Sequence, residues 1–295
     1  MATVTVVTPE GVDNIAATNQ QAAEAVSTIL AGIDMANAVQ DTESTLPPVQ
    51  GVKIFKDDSG QSFVVADAKA AAAPNDNGVK VFNLAEIQAS LPAGAPVLIQ
   101  GTGVDKVKGG DAGDKVISQS NDDSIFKTAG GDDSVVSTGF GSSTYKTGDG
   151  NDKVVGGSGD ELLKGNVGND TLYGGDGSDT VSGGAGDDEL SGGAGTNQLT
   201  GGEGVDTFVF DTDADGVNTV VDFSADDVLK IADRNGDGVV TEKTAEADGD
   251  FTQEVKGGDL IIHLFDKAGA ENARVVLQDQ ANTLKEGDTD GTFTL

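Results

Sequence analysis

Large apolar residues recur every nine positions between Val107 and Phe208, with two slips of a single residue. The clearest copies run back to back: GGDGSDTVS from Gly174, GGAGDDELS from Gly183, GGAGTNQLT from Gly192 and GGEGVDTFV from Gly201. Each reads G-G-x-G-x-D-x-U-x, with U a large apolar residue. The frame extends upstream through windows starting at Gln100, Gly109, Ser118, Thr128, Thr138, Thr147, Gly156 and Gly165, with Lys127 and Ser137 as insertions. The eighth positions are then Val107, Val116, Ile125, Val135, Tyr145, Val154, Leu163, Leu172, Val181, Leu190, Leu199 and Phe208. Glycines in the first six residues allow a tight turn, and the last three residues make a minimal strand with one side chain inward. Such a strand cannot bury its apolar residue alone, so the pattern predicts stacked turns around a thin continuous core. A flexible glycine linker would not hold apolar and acidic residues in one register.

The flanks follow other patterns. Asn14 to Val39 carries Ile15, Ala22, Val26, Ile29, Leu30, Ile33 and Ala36 at helical spacing, which predicts a helix ended before Pro47-Pro48. VKIFKDDSGQSFVVAD, from Val52, reads as a hairpin turning at DDSG. Residues 1–99 therefore read as a small α+β domain of helix plus strands, with no legible chemistry. Beyond the repeats, FVF, TVVDF, VLKI, DLIIHLF and ARVVLQ are strand candidates. Residues 210–295 read as a β-rich cap, because a solenoid must cover its last exposed edge. Phe208, Phe210, Val220, Val221 and Phe223 are expected to close it.

The sixth position carries the candidate chemistry. Successive nonapeptides of a roll alternate sides, so copies two apart stack on one face. One face collects Asp114, Asp133, Asp152, Asp170, Asp188 and Asp206, all aspartates. The other collects Asp105, Asp123, Ser143, Glu161, Asp179 and Asn197, where half depart from aspartate. Carboxylates and turn carbonyls are hard oxygen donors, suited to calcium and unsuited to zinc. The expectation is one well-filled calcium column and one sparse column. Outside the repeat, Asp233, Asn235 and Asp237, followed by Gly238, match the start of an EF-hand loop, although Thr244 stands where the loop's glutamate belongs. Asp211, Asp213, Asp215 and Asp222 make a weaker partial match.

These repeats resemble the RTX (repeats-in-toxin) family over about 110 residues, a motif associated with the parallel β-roll. The resemblance implies a mainly β fold: a parallel β-roll, a calcium-binding solenoid, over residues 100–209, between the α+β domain 1–99 and the cap 210–295. It also implies calcium as cofactor and export through a type I secretion channel. The segment EGDTDGTFTL, acidic and then carrying Phe293 and Leu295, resembles the C-terminal export signal of that family.

Charge and composition agree. The formal net charge is −32, divided as −7 for residues 1–99, −12 for 100–209 and −13 for 210–295. Such a surface repels nucleic acid and anionic membranes, and repels itself until cations neutralise it. No cysteine occurs, so disulfides and thiol chemistry are excluded. MATVTVVTPEGVDN has neither a basic n-region nor a long apolar core, so it does not read as a Sec signal peptide, and no stretch is apolar enough for a membrane span. The sole histidine, His263, lies in the apolar run LIIHLF and reads as a packed strand residue. No HExxH or G-x-S-x-G motif is present, so no enzyme is expected.

The leading expectation is therefore a secreted, non-enzymatic calcium-binding structural protein, extracellular or at the cell surface. It would self-associate into a surface layer, filament or adhesive coat in extracellular matrix, with a cell-surface glycan as a candidate partner. One alternative is a secreted effector acting on host membranes. Another is an enzyme with an unrecognised site in residues 1–99.

Overall fold

The computed structural model describes residues 2–8, 11–17, 20–31, 39–40, 52–56, 62–67, 73–74, 80–83, 97–100, 106–119, 121, 123–210, 215–232, 251–265, 270–280, 282–286 and 292–295. They form strands, parallel through most of the sheet and antiparallel towards both ends of the chain, with one helix among the described residues. The chain divides into two compact units, residues 1–162 and 163–295.

In the first unit, strands two apart in sequence pair in parallel and build two ladders. One runs Val64↔Val97, Val97↔Val116 and Val116↔Val135, then Val135↔Val154. The other runs Phe82↔Val107, Val107↔Phe126 and Phe126↔Tyr145. The inward valines of the first ladder are buried, as are Val107, Phe126 and Tyr145 of the second. This is the predicted parallel β-roll. Its ladders begin at Ser62, however, so the expected boundary at residue 99 does not separate roll strands from other strands.

One inward residue differs from expectation. Phe126 is buried and stacks on Tyr145 with ring centroids 4.8 Å apart, whereas Ile125 is only half-buried. Lys127 pairs regularly with Lys108 and Lys146 and is no insertion. The extra residue falls earlier, between Ile117 and Asp123. A ring fills the core space beside Tyr145 better than a β-branched chain, so the larger residue sets the frame.

The hairpin expected from Val52 is present, with Val52–Lys56 antiparallel to Ser62–Asp67. The helix is shorter than the expected 14–39, spanning Gln20–Ile29. Residues 14–17 belong to the strand Gly11–Ala17, paired antiparallel with Ala2–Thr8. The alternating Thr and Val of Ala2–Thr8 supply an extended partner, and pairing overrides the helical spacing there. The helix buries Ala22, Ala25, Val26 and Ile29 and packs against the strands Ser134–Ser137 and Lys153–Val155. Val136 and Val155 there alternate to the outer surface yet are buried.

The second unit repeats the scheme with shorter steps. Leu172↔Leu190, Leu190↔Phe208 and Phe208↔Leu229 form one ladder, and Val181↔Leu199 and Leu199↔Val220 the other. The roll thus continues past residue 209, and the strand Glu271–Leu277 adds to it in parallel through Val220↔Leu277. Antiparallel strands finish the unit: Asp259–Phe265 lies on Glu271–Leu277, and Thr292–Thr294 on Val228–Ile231. Phe208, Phe210, Val220 and Phe223 are buried as expected, while Val221 is half-buried.

Candidate metal centre

Parallel stacking brings the sixth-position side chains together turn upon turn. In the first unit the Asp114 backbone N–H donates to Asp133 Oδ1 at 2.7 Å, and the Asp133 N–H to Asp152 Oδ1 at 2.8 Å. In the second, the Asp170 N–H donates to Asp188 Oδ1 at 2.8 Å, and the Asp188 N–H to Asp206 Oδ1 at 3.0 Å. All six are buried. One oxygen each of Asp133, Asp152, Asp188 and Asp206 is thereby tied to the neighbouring turn, which aims the other.

That second oxygen lies above the first glycine of its own repeat. A methyl group added to Gly183 would strike the carboxylate of Asp188, one on Gly201 that of Asp206, and one on Gly165 both that of Asp170 and the carbonyl of Gly183. These glycines are required for space, and Gly184 and Gly186 of the same repeat both for space and for their positive φ. Asp188 Oδ2 is buried with no hydrogen-bond partner. A buried anionic oxygen without a donor is unfavourable unless a cation supplies the missing charge. Among the described residues no three acidic or imidazole side chains converge. Carboxylates from stacked turns together with turn carbonyls therefore form the donor set, an all-oxygen arrangement that fits calcium.

Burial dominates the electrostatics. It pushes the Asp133 carboxyl up to about 7 and that of Asp188 up to about 6, the latter helped by the negative charges of Asp206 and Asp187. Asp152 and Asp206 are also raised, chiefly by burial. Carboxylates that resist ionisation when bare are those a bound dication stabilises most.

The opposite face differs in kind. Ser124 N–H donates to Ser143 Oγ at 3.2 Å, so Ser124 holds the place expected for Asp123. With the frame shifted by one residue, Asp123 becomes a fifth-position residue, exposed and accepting the Ser142 N–H at 2.9 Å. Glu161 and Asp179 are buried on this face. Asn197 Oδ1 accepts the Asp179 N–H at 2.8 Å, and Asn197 Nδ2 donates to the Gly193 carbonyl at 3.2 Å and to Asn218 Oδ1 at 2.9 Å. At that turn an amide donor occupies acceptors that a cation would otherwise hold.

Two participants escaped the repeat pattern. The Asp206 N–H donates to Asp227 Oδ1 at 2.9 Å, and the Ser224 N–H donates to Asp227 Oδ2 at 2.7 Å, so Asp227 continues the aspartate stack. Asn218 continues the other. Asp227-Val-Leu echoes the Asp-x-U of the repeat, but after 21 residues, so a strict nine-residue frame passes over it. Asp222 accepts the N–H groups of Gly201 and Gly202 at 2.9 and 3.0 Å, capping the last glycine turn. Asp105, Asp211, Asp213, Asp233, Asn235 and Asp237 lie outside the described residues. His263 alternates to the half-buried face of its strand and is not packed in the core. Its Nδ1 lies 2.9 Å from Glu271 Oε1, a bond that, with Arg274, holds the Glu271 carboxyl below its usual range.

Stacked turns with buried, cation-demanding aspartates define a calcium-binding parallel β-roll. A family model for the RTX calcium-binding nonapeptide repeat matches the chain in overlapping four-copy spans from residue 137 to residue 217. Residues 137–217 are therefore RTX calcium-binding nonapeptide repeats. No curated protein matches the chain.

Proposed function

We propose that this is a secreted structural protein that folds when it meets extracellular calcium and then self-assembles at the cell surface or in extracellular matrix. The observation that carries the reading is the buried aspartate stack Asp170, Asp188 and Asp206, with Asp188 Oδ2 buried and without a hydrogen-bond partner. Such a stack is unfavourable where calcium is scarce and stabilising where calcium fills it, which couples folding to compartment. RTX repeats are typical of proteins exported by type I systems. Among the described residues no helix is long and apolar enough to cross a membrane. The chain has no catalytic role in this proposal. Sedimentation and electron microscopy of the purified chain, with and without calcium, test it: ordered polymers that form only with calcium are expected. A calcium-loaded chain that stays monomeric at all concentrations would remove the assembly step.

A further inference from the structure

The outer surface of the first unit carries a ladder of lysines. Lys127 stands in direct register with Lys108 on one side and Lys146 on the other, on three adjacent parallel strands. Their neighbours Val107, Phe126 and Tyr145 point inward and are buried, so all three lysines face outward, and all are exposed. Lys106, two residues before Lys108, shares that face. Adjacent strands lie about 4.8 Å apart, so the ladder presents one ammonium group at each such step. Like charges directly opposite one another weaken a sheet, and the roll does not need them. In the second unit the equivalent outward pair is Ser182↔Thr200. None of the ion pairs found among the described residues involves Lys106, Lys108, Lys127 or Lys146.

Beside the ladder lies a cavity of about 410 Å³, lined by Lys106, Val107, Lys108, Gly109, Ile125, Lys127 and Ala129. Its lining is mostly apolar, and three of the residues that form it are lysines. That combination suits a ring with C–H faces and an anionic substituent, repeated along a chain at the strand spacing. Nucleic acid fits less well. The aromatic rings of these strands are turned inward, leaving none to stack on bases, and no arginine occurs between residues 100 and 209 to grip phosphate bidentately.

We propose that the Lys108–Lys127–Lys146 face binds a linear acidic polysaccharide bearing a carboxylate or sulfate on successive sugars. This site is separate from assembly, because a calcium-loaded monomer would bind as well as a polymer. The full chain in calcium is passed over immobilised polygalacturonate and dextran sulfate at increasing salt. Wild type is expected to bind, and K108Q/K127Q/K146Q to bind on the order of tenfold more weakly with a shallower salt dependence. The Lys-to-Arg triple variant, which keeps the charge, should retain binding. Lys230→Gln with Lys285→Gln, exposed lysines of the second unit, should change nothing. Circular dichroism in calcium checks each fold, and Lys127→Gln alone serves if the triple variant misfolds. No binding by wild type, equal binding by the glutamine variant, or tighter binding of single-stranded DNA than of either polysaccharide would overturn the proposal.

Discussion

The two halves of the roll solve one architectural problem with different chemistry. From Gly174 to Val209 the turns are regular, the stacked steps are 18 residues, and residues 165–229 contain no lysine or arginine. From Lys106 to Val155 the steps are 19 residues, serines interrupt one column, lysines flank the strands, and a helix covers one outer face. The regular half has no basic side chain of its own to offset its buried aspartates, so calcium is its principal source of positive charge. The irregular half carries exposed lysines on its outer strands and a helix packed on one outer face. The difference predicts that the regular half, which has no basic residue of its own, depends more on calcium than the irregular one.

The largest consequence is unequal collapse on calcium removal. In chelator the strands from Thr171 to Ile231 should lose nearly all amide protection, while those from Lys115 to Val155, held by the helix contact, should keep part of theirs. Hydrogen exchange read by peptide mass spectrometry measures both in one sample. Equal loss in both halves would erase the contrast drawn here.

The frame shift in the irregular half gives the next test. The nine-residue period and the apolar eighth position were legible because glycine turns enforce them. The alternation of faces was legible too, and it separates the aspartate stack from its sparser counterpart. The position of the first extra residue was not, because Ile125 and Phe126 are both apolar and only packing against Tyr145 chooses between them. Asp227 was hidden by a longer connection, and Asn218 by a side chain that nothing in the repeat distinguishes from a turn former. Phe126→Ala should destabilise the calcium-loaded protein by about 3–5 kcal/mol, and Ile125→Ala by much less. Urea unfolding midpoints decide it, and the reverse order would restore the original frame.

A smaller effect separates the two columns within the regular half. Asp188→Asn places on the aspartate stack the residue type that Asn197 contributes opposite, where the amide meets the Gly193 carbonyl and Asn218. The variant should fold more readily than wild type in chelator, because a buried charge is gone. It should bind calcium about tenfold or more weakly, because a charged ligand is lost. Asn197→Asp should do the opposite, with lower stability in chelator and added calcium affinity. Isothermal titration alongside thermal melts reads both signs. Matching signs for the two substitutions would mean that the columns do not differ in kind.

The finest distinction is a pH dependence that reverses with calcium. In the calcium-free protein the carboxyls of Asp133 and Asp188 are raised from 3.8 to about 7 and about 6, so the folded state holds protons that the unfolded chain has released. Their contribution is fully favourable below the unfolded value near 4. It declines as pH rises, and by pH 8 both are ionised and unfavourable. Calcium competes with those protons, so in saturating calcium stability should instead rise from pH 5 to pH 8 as the ligands become available. Urea midpoints at the two pH values, with and without calcium, should therefore cross: higher at pH 5 when bare, higher at pH 8 when loaded. A calcium-free midpoint that rises with pH would show that burial of these aspartates does not govern the empty roll.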